Sequence, residues 1–171
     1  AGLTRPKWAH TLRRGRVDSY CDMLFDIETL TTASQDEVMD KIKKALYLNE
    51  HTYQLEKGTR FYGTRYAEGL ERLLYRCPKC GEEFVTTSKG DTLTCEKCKN
   101  TVRYSKKGGL HPIGDSLCPE RIDLWYDLER EAVAREIEED GFRMEYPVHL
   151  FVENEKKDGY KFVASGSLAL D

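Results

Sequence analysis

Two short cysteine motifs limit what this chain can fold into more than any other stretch. Cys77-Pro-Lys-Cys80 is followed by the fourteen residues 81–94 and then by Cys95-Glu-Lys-Cys98. Within each motif a tight turn brings two sulfurs to one point. The stretch between them is long enough to run out and back as a β-hairpin, so the second pair returns to the first. Four thiolates are soft ligands that fill a tetrahedral coordination sphere and leave no open position, which suits Zn²⁺ in a structural role. Cys77, Cys80, Cys95 and Cys98 are therefore the expected metal ligands, with iron as the alternative metal on the same four sulfurs. Gly81, directly after the first pair, supplies the positive φ that a knuckle turn needs, and Asn100 is its expected counterpart near the second.

Other uses of paired cysteines fit less well. A redox CxxC needs one motif on a βαβ pattern, which is absent. Disulfides go with secretion, and no signal peptide precedes these cysteines. A spacing of this kind is that of a zinc ribbon. The 171 residues suffice for one ordinary domain or two small ones. No run approaches the ~18 apolar residues of a membrane span. The net charge of −3 and pI near 5.9 speak against a main task of gripping nucleic acid. The expected location is the cytoplasm. The chain opens without Met and ends within an expected strand, as a piece of a longer protein would.

Along the chain, residues 1–16 read as an extended lead-in with a basic cluster, Arg13, Arg14 and Arg16. The cluster is either a solvated surface or a contact for phosphates or an anionic membrane. Residues 17–25 alternate, with Val17, Ser19, Cys21, Met23 and Phe25 on one face, which predicts a strand with Cys21 in the core. Ser34-Gln-Asp-Glu37 is a capping box that opens a helix over 35–46, whose apolar stripe is Val38, Ile42, Ala45 and Leu46. A second short helix covers 50–57. Residues 67–74 are expected to be helical, with Leu70, Leu73 and Leu74 inward.

In the ribbon, strands are predicted over 82–87, 91–94 and 101–104, with Phe84 and Val102 as a small apolar pad. Cys118-Pro119 is expected to start the next helix, with Pro at its first position and Gly141 as its stop. Its apolar side carries Ile122, Trp125, Tyr126, Leu128, Ala132, Val133 and Ile137. Residues 145–171 read as strands over 149–152 and 160–164 joined by the charged turn 154–159, with a third strand opening at 165. The fold class is α+β: a mainly helical lead-in (1–75), a zinc ribbon of short antiparallel strands (76–110), and a helix followed by β-strands (111–171).

No catalytic constellation stands out. There is no GxGxxG, P-loop or GxSxG. The histidines at 10, 51, 111 and 149 are scattered, and no HExxH pairs two of them.

The ordered blocks LTRPKW…RRGRV, KKALYLNE, YAEGLERLLYRCPKCG, and CEKC followed by a Pro-Glu-Arg-x-x-x-Trp helix are similar to a known set. They resemble the C-terminal portion of certain bacterial 1-acylglycerol-3-phosphate acyltransferases, of the lysophospholipid acyltransferase family, over most of residues 3–130. The resemblance implies a zinc-ribbon region that follows an acyltransferase domain. That family's catalytic signature is HxxxxD, with a downstream EGTR motif for the glycerol phosphate. Five residues after His10, His51, His111 and His149 stand Gly15, Glu56, Ser116 and Asn154, none of them Asp. Lys57-Gly58-Thr59-Arg60 imitates EGTR, but with Lys for Glu, and it lies directly behind His51 where the family needs a whole α/β segment. No catalytic residue is carried over. The resemblance thus implies a non-catalytic accessory region of a phospholipid-synthesis enzyme, with the parent acyltransferase domain as partner and peripheral association with the inner face of the membrane. The alternatives are a stand-alone zinc-ribbon module that binds nucleic acid, through Lys79, Lys89, Lys97, Lys99, Arg103, Lys106 and Lys107, or one that binds protein.

Overall fold

The computed structural model describes residues 4–139, 141–153 and 159–170. The protein is α+β, and it divides into two units, residues 1–129 and 130–171.

In the first unit, three α-helices precede the ribbon among the described residues. Asp26 caps α1 (Ile27–Thr32) by accepting the Thr29 N–H at 2.7 Å. The expected capping box opens α2 (Gln35–Leu46), where Ser34 and Glu37 satisfy each other's backbone donors. Asn49 caps α3 (Glu50–Lys57) through the N–H groups of His51 and Thr52, and Gly58 at φ +61° stops it. The region 17–25 differs from the prediction. It carries no strand, and Cys21 and Met23 are exposed, because no strand among the described residues pairs with it to give the alternation meaning. The α2 stripe is also shallower than its periodicity suggests: Val38 and Ile42 are half-buried, while Ala45 and Leu46 are exposed.

The ribbon is a four-stranded antiparallel meander, β1 (Thr86–Lys89), β2 (Thr92–Cys95), β3 (Thr101–Tyr104) and β4 (Leu110–Pro112), in that order. The fourth strand was not expected from the sequence. One face is apolar, with Leu93 opposite Val102 and Tyr104 opposite Leu110. Against it pack Tyr66, Ala67, Leu70 and Leu74 from the approach segment, and Ile122 and Trp125 from α4 (Ile122–Glu138). The approach segment is not an α-helix. Only Leu70–Arg72 forms a 3₁₀ turn. Gly69 sits at φ +95°, and a Cβ there would lie 2.1 Å from the Trp8 carbonyl oxygen, so the backbone turns where an α-helix would have to run straight. Leu70 and Leu74 nonetheless reach the core, both fully buried.

Three further expectations are corrected. Phe84 is 64% exposed, at φ +56°, and stacks on Tyr75 at 5.1 Å, so the pad is Val102 with Leu93. Cys118 and Pro119 lie in the loop before α4, which begins only at Ile122. On α4, Tyr126, Leu128 and Ile137 are exposed, while the acidic Glu129 is buried.

Arg13 is the one cation of the lead-in cluster that leaves the surface. It is 5% exposed, and its guanidinium stands over the rings of Trp8, Tyr66 and Tyr104 at 5.9, 5.4 and 5.3 Å. It donates to the Tyr66 carbonyl at 2.7 Å. Ring quadrupoles and a carbonyl replace water around the charge, and this ties the lead-in to β3.

The second unit holds the end of α4 and a long hairpin, β5 (Met144–Glu153) paired antiparallel with β6 (Tyr160–Leu170). The expected third strand is the far half of β6, which pairs with Met144–His149. Residues 154–158 of the expected turn lie outside the described residues. A register shift after Leu150 leaves Val163 without an opposite residue. His149 shares a hydrogen bond with Ser165 at 2.8 Å and meets Phe162 edge-on.

Candidate metal centre

The two CxxC turns are built alike. In the first, Cys77 N–H donates to the Glu82 carbonyl and Gly81 N–H donates back to the Cys77 carbonyl, both at 2.9 Å. In the second, Cys95 N–H donates to Asn100 and Lys99 N–H returns to Cys95, again both at 2.9 Å. The fifth residue of each turn takes positive φ, Gly81 at +72° and Lys99 at +59°. This corrects the expectation for Asn100. Its φ is not the strained one; its carboxamide is used instead. Asn100 accepts the Leu117 N–H at 2.7 Å and donates to the Leu117 carbonyl at 2.9 Å, which clips the loop before α4 onto the knuckle.

These turns bring Cys77, Cys80, Cys95 and Cys98 together. Their sulfurs lie within 4.8 Å of one another, with Cys77 to Cys98 at 3.6 Å and Cys80 to Cys95 at 3.8 Å. Four sulfurs about 2.3 Å from a central ion stand roughly 3.8 Å apart at the corners of a tetrahedron. The spacing therefore suits one tetrahedral ion, and all four cysteines are free of disulfides. It does not distinguish zinc from iron. A closed four-thiolate sphere leaves no position for a water or a substrate, so a zinc ion held there would brace the fold.

The thiols do not share one environment. Burial pushes the Cys77 thiol up to about 12, against the pull of the Cys80 and Lys79 N–H groups. The Glu82 N–H brings Cys80 down to about 7. Metal binding has to displace the protons that remain, that of Cys77 among them.

The strand entering the first turn is held from both sides. On one side Cys77 N–H pairs with Glu82 and the Tyr75 carbonyl accepts from Phe84. On the other, Arg76 N–H donates to Glu129 Oε1 and the Arg76 carbonyl accepts from Trp125 Nε1, both at 2.9 Å. Glu129 Oε2 is buried with no hydrogen-bond partner among the described residues. Desolvation raises the Glu129 pKa to about 7. The sequence signal for these contacts was a Trp and a Glu four residues apart on one helix face, but Glu129 has the same letter as its exposed neighbours.

His51 lies in α3, His111 in β4 and His149 in β5. His51 is half-buried, and burial holds its pKa down. Lys57 and Gly58 of the KGTR stretch form the end of α3, and the Thr59 N–H closes onto the Gln54 carbonyl. Cys118 is half-buried beside the core and apart from the four. No helix among the described residues is long and apolar enough to cross a membrane. No family model, no curated protein and no solved structure matches this chain.

Proposed function

We propose that Cys77, Cys80, Cys95 and Cys98 hold one structural Zn²⁺, and that the metal-stapled region is a non-catalytic accessory module of a phospholipid-synthesis acyltransferase. The observation that carries the metal half is the convergence of four free cysteines at tetrahedral spacing. The acyltransferase half rests on the sequence resemblance alone. On this reading the module docks on the parent's acyltransferase domain, and the acyl transfer belongs to residues outside this chain.

Elemental analysis should find about one zinc per chain, and loss of metal in a Cys77→Ser, Cys95→Ser double variant should follow. Full metal retention in that variant overturns the site. The purified chain should show no acyl-CoA:1-acylglycerol-3-phosphate transfer, and it should capture a separately expressed acyltransferase domain of the resembling family. Failure to capture it, or transfer by this chain alone, sinks the accessory reading.

The ribbon's charges weigh against nucleic acid. Lys97 pairs with Glu82, Lys99 with Glu96 at 2.9 Å, Arg103 with Asp91 at 3.6 Å, and Lys79 donates to the Asp115 carbonyl at 2.8 Å. Phosphates would have to compete with carboxylates already in place. A low-salt titration with single- and double-stranded oligonucleotides should show no tight, steeply salt-dependent binding.

A further inference from the structure

Arg76 lies in an isolated antiparallel bridge with Glu83. In that pairing the hydrogen bonds to the turn come from its neighbours, Tyr75 and Cys77. The N–H and C=O of Arg76 therefore face away from the turn. Here α4 takes both. Glu129 accepts the N–H and Trp125 donates to the carbonyl, as a neighbouring strand would. These side chains are four residues apart, one turn of the same helix, so one face of α4 spans the peptide groups on either side of the Arg76 Cα. Both residues are 2% exposed, and both lie inside the first unit.

The next residue is Cys77, itself 1% exposed. Its backbone position is thus fixed by the turn on one side and by α4 on the other. Groups that hold the peptide next to a ligand restrict where the ligand can go, as direct outer-shell partners of a ligand do. A buried carboxylate with one oxygen unpartnered is costly to keep, and its paired oxygen is spent on this backbone group.

From this geometry we propose that Trp125 and Glu129 are positioning residues of the metal centre: by holding Arg76 they place Cys77, so metal affinity depends on the docking of α4. Coupling of this kind is reciprocal, and metal loading locks the first two turns of α4 in return. The inference rests on the four-thiolate reading above.

The test uses the full chain with Co²⁺ and Zn²⁺ as probes, in competition with a chromophoric chelator. Trp125→Phe keeps an aromatic ring in the core and removes the donor. Glu129→Leu keeps apolar bulk and removes the acceptor. Each should weaken metal binding roughly 10- to 100-fold, while at saturation the thiolate-to-cobalt charge-transfer band keeps its wild-type shape. Glu129→Gln retains the acceptor oxygen and should stay close to wild type. Amide exchange over 122–129 should slow when Zn²⁺ is added to the wild type, and should slow less in Glu129→Leu. If Glu129→Leu does not fold, Trp125→Phe still carries the comparison. Binding within about twofold of wild type in Trp125→Phe, or a Gln variant as weak as the Leu one, overturns the proposal. Absence of any cobalt–thiolate band in the wild type is a different result, and it removes the four-thiolate reading itself.

Discussion

The ribbon sheet and the terminal hairpin are both antiparallel, both built from alternating sequence, and opposite in what surrounds them. In the ribbon, Leu93, Val102, Tyr104 and Leu110 are at most 3% exposed under a lid of leucines, Ile122 and Trp125. In the hairpin, Met144, Tyr146, Val148 and Leu150 pair with Leu170, Leu168, Gly166 and Ala164 to make one apolar face. Yet every one of these residues is half-buried or exposed. Alternation and β-propensity make strands in both places, since they act on the pleat and on cross-strand pairs. They do not by themselves supply a second layer. A two-stranded hairpin is marginal in water, whereas the ribbon has both a core and four cysteines close enough to hold one metal ion. The ribbon should therefore hold the first unit's stability, and the hairpin should add little.

Metal removal tests this most severely. Structural zinc contributes on the order of 10 kcal/mol in small metal-folded domains. Chelation, or Cys77→Ser, should abolish slow amide exchange in β1–β3 and leave exchange in β5–β6 where it was; retained protection in the ribbon would break the comparison. Below that in size stands Leu93→Ala, at 1% exposure, which should cost about 2–5 kcal/mol through lost transfer and the cavity left behind. Chemical denaturation of the zinc-loaded chain measures it.

Glu129 gives the ribbon a pH dependence of a definite sign. Its carboxyl titrates at about 7 in the folded chain, above the ordinary 4.5, so the folded state holds the proton more tightly than the unfolded one. Any stability this confers is complete below about pH 4.5 and is lost as pH rises through about 7. Relative to Glu129→Gln, the wild type should lose on the order of 2–3 kcal/mol across that window. Thiolate protonation acts on both proteins and cancels in the difference. Denaturation curves whose separation does not change with pH would remove the effect.

How far the sequence revealed this molecule follows from what each signal depends on. The cysteine spacing and the Ser34–Glu37 box are local chemistry, and each appears where its residues place it. The four sulfurs converge because two copies of one turn are joined by a hairpin, a geometry the spacing already contains. What was not legible is non-local. Residues 17–25 alternate as a strand would but have no neighbour to pair with. Residues 67–74 look helical until Gly69 meets the Trp8 carbonyl from sixty-one positions away. Arg13 looks like a surface cation until three rings close round it. Glu129 cannot be told from its exposed acidic neighbours until Arg76 lies against it.

The two knuckles offer a finer comparison inside the ribbon. Gly81 and Lys99 occupy the same turn position, and only the lysine pays for a Cβ at positive φ. Lys99→Gly should therefore stabilise the zinc-loaded chain by roughly 0.5–1 kcal/mol, reduced by glycine's greater freedom when unfolded and by the exposed pair with Glu96. A loss in melting temperature would show that the ion pair or the unfolded-state term outweighs the strain.

The smallest expected effect is the sharpest check on the contrast between the two sheets. Leu168 sits on β6 opposite Tyr146, on the apolar face, yet it is 59% exposed. It is the same residue type as Leu93, on a strand, in the same kind of pairing. If burial and not strand membership sets the cost, Leu168→Ala should change the stability of the chain by less than about 0.5 kcal/mol, where Leu93→Ala costs several times more. Melting curves of the two variants side by side decide it. A large loss from Leu168→Ala would mean that the apolar face of the hairpin is covered in solution. The ribbon and the hairpin would then differ in which molecule supplies the second layer, and no longer in whether they have one.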